Sequence, residues 1–344
     1  MISLHDIRQT LEKDKTLVQT LKGITLNVEQ GEIFGIIGRR DAGINHLIRC
    51  INLLDRPSSG KVMVDSVDLT ALSSEALKIA RRKIGMIFQH YYLLDSRNVF
   101  ENIALPLELK TETSDSLEST VQTLIDLTGL KGKEYFYPSQ LSAPEKQRVA
   151  IARALASDPK ILLCEDVTAG LDHKAKNAIL QLLKVINQKL NLTILCVTHD
   201  MSVIKSLCDR VAVFHQGEII EQDTLLHFLS HPKTVVARDL IKSAARADLP
   251  ANIKTRLSLN PTENTHPLLR LSFIGSSLED PGLSEVIESF DLSIHIIQAH
   301  LEPVEAGHMG IMIAEFIGQT DNIKPAIEAL AKKNISIEVL GYVS

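Results

Sequence analysis

The chain has 344 residues, of which 44% are hydrophobic and 23% charged, with 37 basic against 42 acidic side chains and a formal net charge of -5. This describes a folded chain with more than one core, not a disordered one, and its slight acidity offers no field for gathering nucleic acid or an anionic membrane surface. The longest apolar runs, residues 33–37 and 161–164, are strand-sized, far short of the ~18 residues of a spanning helix, and no basic-then-apolar signal opens the chain, so any membrane role is expected to come through a partner.

Along the first two thirds, short apolar runs alternate with amphipathic stretches, the pattern of a parallel sheet covered by helices. Phe34-Gly35-Ile36-Ile37-Gly38 reads as a buried strand. A helical segment is expected around residues 115–130, with a second helix opening beside it at Leu141. Residues 161–164, 192–197 and 211–214 read as further strands, and 174–190 as a helix with Ile179, Leu182, Leu183 and Ile186 on one face. Gln216-Gly217 has the composition of a hairpin turn. Pro250, Pro261 and Pro267, with Asn260, Thr262 and Asn264, mark a linker. Beyond it the reading is strand 268–274, helix 282–290, strands 292–300 and 308–316, helix 322–333 and strand 335–343, the β-α-β-β-α-β order of a ferredoxin-like split unit with four antiparallel strands. The expected division is therefore 1–245, a linker over 246–265, and 266–344. Cys50, Cys164, Cys196 and Cys208 fall singly, mostly in apolar runs, as expected of reduced, buried thiols in the cytosol.

The run Gly38-Arg39-Arg40-Asp41-Ala42-Gly43-Ile44-Asn45-His46 follows a strand and opens a helix. That is the place of a phosphate-binding loop, where backbone amides and a helix N-terminus cradle phosphates. Of G-x-x-x-x-G-K-[ST] only Gly38 and Gly43 stand; Ile44 and Asn45 occupy the lysine and magnesium-ligand positions, His46 follows, and Asp41 puts a carboxylate where phosphate charge belongs. Taken alone, the run is equally an ordinary strand-to-helix turn. Arg39 and Arg40 either supply the missing positive charge or are solvated loop residues.

Five further motifs follow in order: Phe88-Gln89-His90; Leu141-Ser142-Ala143-Pro144-Glu145 with the helical run to Leu155; Glu165-Asp166 after an apolar strand; Leu171-Asp172; and Thr198-His199-Asp200. Together they resemble the glutamine loop, signature helix, Walker B strand, D-loop and switch histidine of ABC ATPases. Residues 47–57, 104–109 and 338–343 narrow the resemblance, over essentially the full chain, to the ATP-binding subunits of bacterial methionine importers. The fold class implied is α/β: an ABC-type P-loop nucleotide-binding domain followed by a small ferredoxin-like α+β regulatory domain. The resemblance also implies ATP and magnesium as cofactors, a membrane permease as partner, and a homodimer or a heterodimer with an intact ATP-binding subunit. It implies methionine binding at the C-terminal domain and a cytoplasmic, peripheral location on the inner face of the cell membrane. Nucleic acid is not an expected partner.

Against that family, the departures fall on working positions. The signature L-S-G-G-Q keeps Leu141 and Ser142 and replaces the rest with Ala143, Pro144 and Glu145. Pro144 has no N–H to offer phosphate, although proline suits a first helical turn. The Walker B Asp-Glu is reversed to Glu165-Asp166, which moves each carboxylate by about one methylene where a ~1 Å misplacement can cost ~100-fold in rate. Leu11 stands at the adenine-stacking position, and Ala169-Gly170 opens the D-loop before Asp172. Gln89 and His199 remain; His199 is either a retained catalytic-site histidine or a residue capping a strand. His295 replaces an asparagine near the methionine site of the family. Three functions stay open at this stage: a pseudo-ATPase with weak or no nucleotide binding, a working ATPase energising amino-acid import, and a sensor acting through its C-terminal domain.

Overall fold

The computed structural model describes residues 1–13, 16–39, 43–109, 114–244, 253, 255–262, 265–274, 281–304, 307–333 and 335–343. The chain divides into two compact units, Met1–Gln222 and Asp223–Ser344.

The first unit contains β1 (Ile2–Lys13), β2 (Thr16–Val28), β3 (Ile33–Gly38), α1 (Ile44–Ile51), β4 (Ser59–Val64), β5 (Val67–Asp68), α2 (Ser74–Arg81), β6 (Ile84–Ile87), α3 (Val99–Glu108), α4 (Ser114–Thr128), α5 (Ala143–Leu155), β7 (Ile161–Glu165), α6 (His173–Leu190), β8 (Thr193–Thr198), α7 (Met201–Leu207), β9 (Arg210–His215) and β10 (Glu218–Thr224), the last running just past its boundary. Six strands in the order β10-β9-β3-β8-β7-β6 form the central sheet. β3 pairs in parallel with both β8 and β9, and β7 with both β6 and β8. Every residue of β3 and of β8 is buried, as expected of parallel strands covered on both faces. The continuous apolar runs at 33–37 and 194–197 carry that requirement in the sequence.

A second sheet, β2-β1-β4-β5, is antiparallel. Its inner residues Ile2, Leu4, Leu26 and Val62 join Phe34, Leu47, Ile48 and Phe214 in one core. The sequence reading missed β1 because its alternation slips: pairing with β2 shifts between Leu4 and Ile7, and Asp6 has φ 49°. Such a bulge moves the buried set by one residue and erases the period of two. The turn at Gln216-Gly217 is present, with φ of 48° and 89°, the two positive values of a type I′ hairpin. A Cβ on Gly217 would also lie 2.8 Å from the Thr20 carbonyl oxygen.

The second unit opens with α8 (Leu225–Ser230) and α9 (Val235–Ala244), followed by β11 (Leu257–Ser258), β12 (His266–Ile274), β13 (Ser293–Val304), β14 (Gly307–Ile317) and β15 (Ser336–Val343). The sheet order is β11-β15-β12-β14-β13, antiparallel at every described pairing. Helices Gly282–Ser289 and Thr320–Lys332 cover one face, where Val286, Ile323, Ala326 and Leu330 pack with Leu269, Leu271 and Phe316. The split unit is thus present with two differences. The sheet has a fifth strand, β11, which carries too few residues to show a period, and the division falls at Gln222/Asp223 instead of 245, since α8 packs on β12. Much of the expected linker, including 246–252, 254 and 263–264, lies outside the described residues. All four cysteines are buried thiols, and burial pushes the Cys50 thiol up to about 12.

Candidate nucleotide site

The two glycines that bracket the strand-to-helix turn after β3 both stand where the backbone needs glycine. Gly43 caps α1 in the left-handed region, φ 76° and ψ 20°, a conformation that favours glycine. Gly38 is needed for close approach, since a Cβ there would lie 2.7 Å from the Phe214 carbonyl oxygen. The side chains have a different use. Ile44 is only 5% exposed and belongs to the core with Leu47, Ile48 and Phe214, so the lysine position supplies packing and no cation. Asn45 is exposed, and the half-buried His46 has an Nδ1 with no hydrogen-bond partner. Arg39 is exposed, while Arg40 and Asp41 lie outside the described residues. The ATP and magnesium that the fold family implies would find a helix N-terminus here without the cation and hydroxyl that usually complete it. Among the described residues no group of three or more His, Cys, Asp or Glu is arranged to hold a metal ion.

At the end of β7 the two reversed carboxylates have separate environments. Glu165 is half-buried, and desolvation raises its pKa against the opposing pull of Arg49, with Asp166 adding to the rise. Asp166 follows in a left-handed turn, φ 43°, which Asp tolerates better than most residues. Its carboxylate accepts from the His199 backbone N–H at 3.3 Å and from His199 Nδ1 at 3.0 Å. An ionised carboxylate can only accept, so Nδ1 carries the proton in this pair. β7 and β8 are neighbours in the sheet, which brings the motifs together although they lie 33 residues apart. The shorter side chain at position 166 therefore ends on His199.

The signature segment opens α5. Ser142 is its N-cap, and Pro144 occupies the first turn without breaking the helix. The Ser142 backbone N–H donates to Glu145 Oε2 at 2.8 Å, and the Ser142 hydroxyl donates to the same oxygen at 2.7 Å. The hydroxyl that would meet a γ-phosphate in this fold family is thus bonded within its own segment, beside a carboxylate of the same sign as phosphate. The two Ser142 bonds hold the Glu145 carboxyl below its usual range, with Lys133 a smaller contributor. A folded pKa below the unfolded one adds stability above the carboxylate range and loses it as pH falls through the folded value. Ser142→Ala is expected to cost about 1 kcal/mol at pH 7 and less at pH 3. Urea unfolding at both pH values measures the difference, and an equal cost at both would show that the cap does not depend on the charge of Glu145.

Gln89 is half-buried at the end of the β6 segment, before a turn in which Tyr91 and Tyr92 both have positive φ, 60° and 46°. Arg153 on α5 holds that turn: Nη1 donates to the Tyr92 carbonyl and Nη2 to the Tyr91 carbonyl, each at 2.7 Å. Nothing local in the sequence shows this bond, because the partners are 61 and 62 residues away. The Ser142–Glu145 bond was not anticipated, although Ser-x-x-Glu is the local signal of a capping box that could have found it. Of the two tyrosines, Tyr92 is 61% exposed and forms a surface with Leu94, 40% exposed, while Tyr91 is half-buried.

The remaining expected positions are dispersed. Asp172 caps α6, its carboxylate accepting from the Ala175 N–H at 2.8 Å, and Gly170 just before it has φ 73°. Leu11 pairs with Val18 near the end of the β1–β2 hairpin. His295 lies in the second unit on β13, exposed, with Nδ1 3.3 Å from Glu315 Oε2.

Comparison with known proteins reports on both units. A family described as "ABC transporter" matches residues 21–169, and one described as "NIL domain" matches residues 267–339. The chain is 47% identical to "Methionine import ATP-binding protein MetN 3" of Pectobacterium atrosepticum and 43% identical to "Methionine import ATP-binding protein MetN" of Aliivibrio fischeri, with 100% of each chain covered. Among solved structures it resembles the ATP-binding cassette MJ0796 in a dimeric post-hydrolysis state bound to ADP and Pi. The TM-score is 0.61 at 32% identity, over 65% of this chain and 99% of that one.

Proposed function

The chain belongs to the family of ATP-binding subunits of methionine-import ABC transporters, and from that premise we propose that it is the nucleotide-binding subunit of a methionine importer with weakened ATP binding and impaired hydrolysis. The observation that carries the weakened site is Ile44, packed into the core where a phosphate-binding lysine would stand. The exchanged carboxylates and the Glu145 charge at the signature support it. Pairing with an intact subunit leaves one composite site without its lysine and another facing Ala143-Pro144, so a heterodimer hydrolyses slowly at best. The names of full-length relatives 43–47% identical favour a second reading, a working ATPase energising import; ATPase assay of the purified chain separates the two.

The subunit acts at the inner face of the membrane through a permease, in keeping with the absence, among the described residues, of any helix long and apolar enough to cross a bilayer. The C-terminal domain is the candidate for methionine regulation, with His295 in place of the family's asparagine. The exposed Tyr92 and Leu94 after Gln89 form the candidate permease surface. Tyr92→Asp or Leu94→Asp is expected to weaken copurification with the permease by about tenfold, equivalent to roughly 1.4 kcal/mol. Unchanged recovery with the cognate permease would remove this surface from the interface.

A further inference from the structure

The second unit holds a cavity of 720 Å³, within the range of about 300–1,000 Å³ typical of small-molecule sites. Side chains alternate across a strand. Leu269, Leu271 and Phe273 of β12 face the helix-covered core, while Arg270 and Ser272 face the opposite side and line the cavity. Its wall is completed by Leu229 and Ile241 from α8 and α9 and by Met309 and Ile311 from β14. β13, which carries His295, contributes nothing to the lining. The cavity is therefore separate from the expected methionine position.

Arg270 is its polar anchor. Nη1 donates to Glu338 Oε2 at 2.6 Å, whereas the buried Nε has no hydrogen-bond partner. A buried donor on a charged group is costly to leave unmade and calls for an explanation. A guanidinium matches the plane of a carboxylate, which can accept two parallel bonds from it. Arg238 adds an exposed cation to the lining, while Lys233 is paired with Asp223 at 2.8 Å. Glu338 also lines the space and disfavours a dianion through like-charge repulsion. The aliphatic wall provides for an apolar body.

We propose that this cavity binds a small monocarboxylate with an apolar body, its carboxylate paired with the guanidinium of Arg270. The site uses no residue of the nucleotide-binding unit, so it stands or falls separately from the ATP reading. Calorimetric titration of the full chain with sodium 4-methylpentanoate tests it, beside the uncharged 4-methylpentanamide and inorganic phosphate. The carboxylate is expected to bind at least tenfold more tightly than the amide, without competition from phosphate. Arg270→Gln should weaken binding tenfold or more, Ser336→Phe should block it by filling the cavity, and the surface variant Arg238→Ala should weaken it severalfold. ATP affinity should not change in any of them. Equal binding of the amide, competition by phosphate, unaltered affinity in folded Arg270→Gln, or no binding by the intact chain would each overturn the assignment.

Discussion

The purified chain is expected to bind Mg-ATP ten- to a hundredfold more weakly than a lysine-bearing relative, as the loss of one charge-assisted contact worth about 1.5–3 kcal/mol requires. Turnover is expected to remain below about 1 per second. Binding should be weakened and not abolished, because Gly43 still opens α1 with backbone amides. Hydrolysis should suffer more, because phosphoryl transfer rests on positioning and electrostatics, and the altered Glu165, Asp166 and signature positions are expected to bear on the transition state.

Restoring the family residues in three groups tests this. The phosphate loop takes Asp41→Gly, Ile44→Lys, Asn45→Ser and His46→Thr; the Walker B strand takes Glu165→Asp with Asp166→Glu; the signature takes Ala143→Gly, Pro144→Gly and Glu145→Gln. Activity should stay low until all three are restored, since residues acting as a unit are strongly non-additive. Ile44→Lys alone also removes a 5% exposed core side chain, so thermal melts must accompany each assay. Magnesium-dependent turnover near 1 per second in the unaltered chain, free of contaminating ATPase, would restore the working-enzyme reading.

Phe214→Ala is expected to cost about 3–5 kcal/mol, the loss typical of deleting a buried aromatic ring. Phe214 is 0% exposed and lies in the core with Ile44, Leu47 and Phe34, while its backbone and Cβ crowd Gly38. At roughly 2–4 °C per kcal/mol for a unit of this size, the first unit should melt some 6–20 °C lower. A loss below about 1 kcal/mol, no more than one buried methylene, would show that the Phe214 ring is not what packs that core.

Elements buried on both faces were the most legible in the sequence. β3 and the 194–197 stretch of β8 are buried on both faces, and both read as continuous apolar runs. β1 did not, because the bulge around Asp6 exchanges inside for outside midway along the strand. The site was legible where motifs are contiguous, as in the Thr198-His199-Asp200 run, and the Ser142-x-x-Glu145 cap follows a local rule that could have found it. What sequence could not supply was direction. Whether Ile44 points to solvent or to the core depends on Phe214 and β9, and whether Asp166 ends on His199 depends on β7 and β8 being neighbours. The grip of Arg153 on the turn at Tyr91-Tyr92 is of the same tertiary kind.

That grip has a mechanical consequence. A planar guanidinium with two parallel bonds 2.7 Å long to successive carbonyls resists both sliding and twisting, as a single bond does not. The turn behind Tyr92 and Leu94 is thereby pinned at two points to α5, the helix that begins at the signature, so that neither can shift without straining both bonds.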